Sequence, residues 1–382
     1  MAITFHPSSK QTILVMLVFV SVLTSCNTTK DDELQVPTTY EFNRDNISTI
    51  NYSGQTQRLD MLQLMGTYLK TANTVGSPSL DADLLKSMFA NTNNPFDGQI
   101  FSKNLKSKCF AADTAMFIQY LDDAANISLV QGTASLGVSG VLVDGSSDPT
   151  VGYRVNENGL ELTQVILKGL MGSVFYYQAM EAYLTEERMG LNGNDELVES
   201  ENHTDMEHYF DEAFGYFGIP NDYPNAVSLD NARFWGEYCN KRNEGLYPNM
   251  NEEIALAFRT ARAAIVAKDY EERDMAIQAI QQKWAVVIAA SAADYLGQAL
   301  STTGMPEYKR HHVMSEAIGF MLALKYHFNG GNSKYPPHFS YTHIGHSLMR
   351  VGPTTDLYNV TDSQIEEAIE HIKLAFPSGE IK

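Results

Sequence analysis

One pattern constrains this chain more than any other: His-x-x-x-Glu-Ala-x-Gly followed by an aromatic residue. It occurs twice, as His208, Glu212, Ala213, Gly215, Tyr216 and as His312, Glu316, Ala317, Gly319, Phe320. Residues four apart on a helix are separated by roughly 40° around its axis, so each His–Glu pair shares one face. The first copy carries its own start and stop signals. Thr204 with Glu207 three residues on forms a capping box, and Gly218 followed by Pro220 ends the helix. Each copy is preceded by an apolar segment that ends near Gln-Ala, at Gln178-Ala179 and at Gln298-Ala299. The same order of elements twice over implies an internal duplication of helical hairpins. The two His–Glu pairs are expected to face each other.

Hydrophobic spacing of 3.6 predicts further helices over residues 57–72, 81–90, 111–125, 228–241, 251–268, 270–300, 306–328 and 361–376. Residues 160–184 are apolar nearly all round, which places that helix in the core, and Gly169 and Gly172 within it point to a close helix crossing. Two short alternating runs over 140–155, joined at Asp144-Gly145-Ser146, read as a β-hairpin. Residues 334–353 read as irregular and histidine-rich, and the acid-rich stretch 188–202 as a solvated loop. The expected fold is all-α: duplicated helical hairpins forming two packed bundles, with a small peripheral β-hairpin.

The start of the chain carries an address. An apolar run over residues 13–23 follows Lys10 and is too short to span a bilayer as a helix. It ends in Leu23-Thr24-Ser25-Cys26, a lipobox-like sequence in which Cys26 becomes the lipidated first residue. The expected organisation is a lipoprotein signal peptide over 1–25, a lipidated cysteine and flexible tether over 26–50, and a helical domain over 51–382. Lys30-Asp31-Asp32-Glu33 resembles the surface-export signal of lipoproteins in one group of Gram-negative bacteria, which predicts an outer-membrane, surface-exposed anchor in lipid through Cys26. A formal net charge of −19 argues against nucleic acid as a partner. Past Cys26, Cys109 and Cys239 are too few for a disulfide framework and read as one bridge or two buried thiols.

No P-loop, dinucleotide fingerprint, nucleophile elbow or His-Glu-x-x-His motif is present. Imidazole with carboxylate suits iron, zinc or manganese, so His208, Asp211, Glu212, His312 and Glu316 are the candidate metal ligands. The competing reading makes them hydrogen-bonded core residues kept for packing. Asp211 has Ser315 as its counterpart in the second copy, so a symmetric role for it is not expected. His338, His343 and His346 form a second candidate cluster, near His311 and His312 in sequence. Trp235, Trp284 and the tyrosines read as core packing.

Several of these residues together carry a resemblance: the lipobox, Gly159 to Gln164 leading into Lys168 to Gly172, Glu207-His208 through Gly218, and Ser315 to Phe320. The chain resembles a family of bacterial lipoproteins described only as a domain of unknown function and similar to the imelysins. The resemblance implies two helical bundles related by a pseudo-twofold, a site at their junction, and an association with iron uptake or metallopeptidase activity. The imelysin hallmark is Gly-x-His-x-x-Glu; here Met206, His208 and Asp211 occupy that spacing, with both glycine and glutamate replaced. The expected function is a cell-envelope lipoprotein that binds a metal or small ligand in nutrient acquisition, with iron or zinc as the expected metal. The alternatives are a metallopeptidase and a non-catalytic scaffold for a surface-protein partner.

Overall fold

A computed structural model describes residues 34–145, 148–190, 193–327 and 340–382. The signal peptide, Cys26 and the Lys30–Glu33 run lie outside the described residues, as do Ser146 and His338. The tether expected over 26–50 stops short of its predicted end. Tyr40, Phe42 and Thr49 are buried, and β1 (Asn43–Arg44) pairs antiparallel with β2 (Ile47–Ser48). Aromatic residues that can bury ring area against the helices hold this segment down, and Tyr40 stacks on Phe214 with 3.7 Å between ring centroids.

Helices α1 (Ser53–Lys70), α2 (Ala82–Ala90) and α3 (Thr114–Ser128) open the helical part. Asp81 caps α2 by accepting from the amides of Asp83 and Leu84. The predicted hairpin follows as β3 (Gly140–Asp144) and β4 (Asp148–Val155), in antiparallel register with Leu142 opposite Tyr153. It is fastened by Arg154, whose guanidinium donates to the carbonyls of Ala72 and Val130.

The core helix begins as α4 (Leu162–Leu170), every residue of which is buried. It then widens into π-turns over Met171–Tyr176 and Gln178–Tyr183. Gly169 and Gly172 serve the predicted close crossings, since a Cβ at Gly169 would lie 2.8 Å from Phe117 and one at Gly172 2.6 Å from Ala323. After α5 (Glu186–Met189), α6 (Asp205–Phe217) carries the first motif, with the Thr204–Glu207 capping box formed and Gly218 left-handed at φ 83°.

The single helix expected over 228–241 is two. Asn225 rather than Ser228 caps the short α7 (Ala226–Leu229), and α8 (Trp235–Glu244) starts after a crossing at Phe234. The Arg233 amide bonds the Gly218 carbonyl at 2.7 Å, so the chain is drawn back to the end of α6 before it can continue as helix. Helices α9 (Met250–Ala267) and α10 (Tyr270–Gln298) form an antiparallel pair, and α11 (Glu307–Ala323) carries the second motif. The stretch 334–353 is not irregular throughout, because Tyr341–Arg350 forms α12, seated on α13 (Asp362–Leu374) through buried Ile344 and Ser347. The Thr361–Gln364 capping box of α13 forms as expected.

The architecture is a helical bundle with a small β-hairpin. Both hairpins of the duplication pack as units: α6 lies against the π-turns of the core helix, and α11 lies against α10. Trp235 and Trp284 are fully buried, and Cys109 and Cys239 are free buried thiols. Burial pushes the Cys239 thiol up to about 12.

Candidate functional site

The two motif helices are placed by the same device. In α11, a Cβ at Gly319 would lie 2.5 Å from the Cβ of Lys168, so the glycine lets α11 close onto α4. In α6, a Cβ at Gly215 would lie 2.6 Å from the Cβ of Tyr52, so α6 closes onto the start of α1. The residue four places before each glycine then meets a helix start. Ser315 Oγ accepts from the Glu161 amide at 2.9 Å, and Asp211 Oδ2 accepts from the Asn51 amide at 3.2 Å. Asp211 and Ser315, unlike in charge, do the same work on orphan N–H groups at the start of a neighbouring helix.

The His–Glu pairs also match. His208 Nε2 lies 4.0 Å from Glu212, and His312 Nε2 lies 3.9 Å from Glu316. Each ring is backed by a stacking partner, His203 for His208 and Tyr153 of β4 for His312. Beyond that the surroundings differ. Glu212 accepts from the Gln55 amide at 2.7 Å and lies beside the Tyr183 hydroxyl, near the end of the core helix. Glu316 is bound to Lys168 Nζ at 2.7 Å, near its start. The helix from Lys168 to Tyr183 spans roughly 20 Å at 1.5 Å per residue. The expected convergence of the pairs on one another is therefore not what the fold provides, and His208, Glu212, His312 and Glu316 do not fit a single shared iron or zinc centre.

Asp211 is engaged elsewhere. It is fully buried and accepts from Tyr40 at 2.7 Å, from Arg262 Nε at 3.0 Å and from the Asn51 amide. Arg262, with no exposed surface, also bonds Glu207 at 3.0 Å and Thr49 at 2.9 Å, and Arg44 reaches Glu207 from β1. Burial raises the Asp211 carboxyl, opposed by Arg262. For Glu207, burial is outweighed by Arg262, Arg44 and the Thr204 amide, so its carboxyl sits below the usual range. This network ties Tyr40, Arg44, Thr49 and Asn51 to α6 and α9, and with three donors on Asp211 it is a structural clasp.

The second pair opens on a cleft of about 540 Å³ between α1, α4, α8, α11 and β4. Glu161 is fully buried, accepts from Gln164 Nε2 at 3.2 Å and lies 2.6 Å from His312 Nδ1. A carboxylate oxygen accepts, so in this pairing Nδ1 is the donor, and Nε2 lies 3.9 Å from Glu316. Lys168 is held between Glu316 and Gln164 Oε1 at 2.9 Å, with its ammonium over the Tyr238 ring. Burial raises the Glu316 carboxyl, but Lys168 and then His312 outweigh it and leave it below its ordinary value. Burial also pushes the Tyr153 hydroxyl up to about 12. Lys70, Lys168, Arg233 and Lys241 line the cleft with two carboxylates, Glu237 and Glu316, and among the described residues no serine, threonine or cysteine lines it. The arrangement can hold an anionic group beside His312, and among the described lining residues the hydroxyls are the phenols of Tyr153 and Tyr238.

Sequence reasoning missed Glu161, Lys168 and Tyr153 at this site. One signal was available for Lys168, a lone charge in an otherwise apolar helix. Of the second histidine cluster, His343 and His346 sit on α12, and their neighbour is His371 of α13, which the sequence did not single out.

A family model described as Domain of unknown function (DUF4856) matches residues 37–377. No curated protein and no solved structure matches the chain.

Proposed function

The chain belongs to that family of unknown function, and we propose that it is a cell-envelope lipoprotein whose helical domain binds a small anionic ligand in the cleft beside His312. The observation that carries this reading is the local charge. On a chain of net charge −19, Lys70, Lys168, Arg233, Lys241 and His312 line one aromatic-walled cleft with two carboxylates, Lys168 pairing with Glu316, Lys241 with Glu237 and Arg233 with Asp60 just outside the lining. Such concentration of opposite charge in a concave site favours anion capture. Lys168 already occupies Glu316, so a bare metal cation there would have to displace an ammonium group. This moves the ligand expected in nutrient acquisition away from free iron or zinc and toward an organic or inorganic anion.

The envelope part rests on the sequence of residues 10–33 and on the likeness to imelysin-like lipoproteins. Anchoring in the outer membrane through Cys26, with the domain exposed at the surface, follows from that reading. Among the described residues no helix is long and apolar enough to cross a membrane.

The test is a panel of small anions, including carboxylates, phosphate and sulfated or acidic sugars, added to the full chain while thermal stability is recorded. A ligand that raises Tm in the wild type and loses its effect in His312→Gln and in Lys241→Ala supports the reading. Binding unaffected by either substitution would sink it. For the anchor, Cys26→Ser is expected to move the protein from the membrane fraction to the soluble fraction.

A further inference from the structure

Helices α12 and α13 bring together three imidazoles that the cleft does not use. His343 and His346 are three residues apart on α12 and so share a face, and His371 projects from α13 opposite them. Ring centroids lie 5.0 Å apart for His346 and His371, 5.8 Å for His343 and His371 and 6.0 Å for His343 and His346. One ring nitrogen from each lies within 4.8 Å of the others, and among the described residues no other trio of histidine, cysteine or acidic side chains does this. The two helices are fixed beneath the cluster. Ser347 Oγ donates to the Ala368 carbonyl at 2.6 Å, Ile344 and Ile372 are fully buried, and Arg350 bridges to Glu367.

The cluster is incomplete as it stands. The Nδ1 atoms of His343 and His371 are both buried and have no hydrogen-bond partner among the described residues, which leaves polar atoms unsatisfied where native structures rarely do so. A tetrahedral zinc with bonds of about 2.0–2.1 Å needs ligand nitrogens about 3.4 Å apart, so side-chain rotations of about 1 Å would close the set. His346 is exposed, which leaves the remaining coordination position to solvent.

We propose that His343, His346 and His371 form a binding site for one divalent transition-metal ion, of the zinc, cobalt, nickel or copper class that three imidazole ligands select. The site is separate from the cleft and does not depend on its reading. It joins α12 to α13 through a ligand set with an open position, so the ion can both staple the helices and hold a further donor.

The experiment is a zinc titration of the full chain, purified without a polyhistidine tag and stripped with chelator, in competition with a chromophoric chelator. One equivalent is expected to bind. Cobalt added in place of zinc should give visible absorption bands of low-symmetry coordination. His346→Ala, at an exposed position, and His371→Ala should each weaken zinc binding by roughly 100-fold or more, since even outer-shell substitutions cost about 10–100-fold. His208→Ala and His312→Ala should leave it unchanged, which separates this site from the cleft. Circular dichroism of the metal-free variants checks folding, and His346→Ala alone carries the test if His371→Ala is unfolded. Absence of stoichiometric zinc uptake, or uptake that survives the His346→Ala substitution, would overturn the proposal.

Discussion

Lys168 Nζ lies 2.7 Å from Glu316 in a pocket where both side chains are at least nine-tenths buried. The two residues come from the core helix and from the second copy of the repeated motif. Their contact joins the packing of the fold to the chemistry of the cleft. Breaking a buried pair by removing one partner leaves the other charged and unpaired. Lys168→Met is therefore expected to lower unfolding free energy by about 3–5 kcal/mol. The double variant Lys168→Met/Glu316→Gln should be more stable than the sum of the single losses allows, with a coupling of about 0.5–3 kcal/mol. Urea unfolding of all four proteins measures this, and strict additivity would show that the pair does not act as one.

The same pair sets a pH dependence. The folded Glu316 carboxyl titrates below its ordinary value of 4.5, because Lys168 and His312 outweigh the effect of burial. A depressed carboxyl contributes stability that is fully present above the unfolded value and is lost as pH falls through the folded one. The stability gap between wild type and Glu316→Gln should therefore be widest above pH 4.5 and shrink as pH falls below it. Chemical denaturation across that range checks the direction; a gap that widens in acid contradicts the assignment.

Arg262 is the hub of the clasp on Asp211 and Glu207. Arg262→Ala leaves the buried Asp211 without its cation and Glu207 with Arg44 alone, and should cost about 3–5 kcal/mol. Limited proteolysis of the folded variant should also cut sooner around residues 40–50, since Thr49 loses its tie to α9. A cleavage pattern identical to wild type would show that the clasp is not what holds that segment.

His208 and His312 sit at opposite ends of the stretch from Lys168 to Tyr183. Replacing both by alanine should change stability by the sum of the single effects, within about 0.3–0.5 kcal/mol. Thermal or urea unfolding of the single and double variants reads this directly. A large coupling would mean that the two ends of the core helix are energetically linked after all.

Local signals in the sequence identified what is local in the structure. The Thr204–Glu207 and Thr361–Gln364 capping boxes form, the apolar run 160–184 is the core helix, and the alternating run at 140–155 is the hairpin. The motif glycines proved more informative than the motif histidines, because Gly215 and Gly319 admit a neighbouring helix in both copies while the histidine environments diverge. What stayed hidden depends on distant pairing. Nothing near Glu161 in sequence announces that His312 will meet it, and nothing near His371 announces α12. Helix α12 itself has an interior glycine and few apolar residues, and it owes its place to Ile344 and Ser347 seated against α13. The spacing of Asp211 from His208 matches a family hallmark and suggests a ligand, whereas its orientation is decided by Arg262, fifty-one residues away.

The π-turns from Met171 to Tyr183 act as a phase shifter. In an unbroken α-helix the face that meets α11 at Lys168 would recur at fixed intervals, and α6 would have to dock wherever that rhythm placed it. The wider turns alter the rhythm midway, so one rod addresses two neighbours along directions that a regular helix would not connect. In α-helical geometry one residue corresponds to about 100° of rotation. Loss of a single residue between Met171 and Tyr183 would thus barely shorten the rod, yet it would turn one end of the protein against the other.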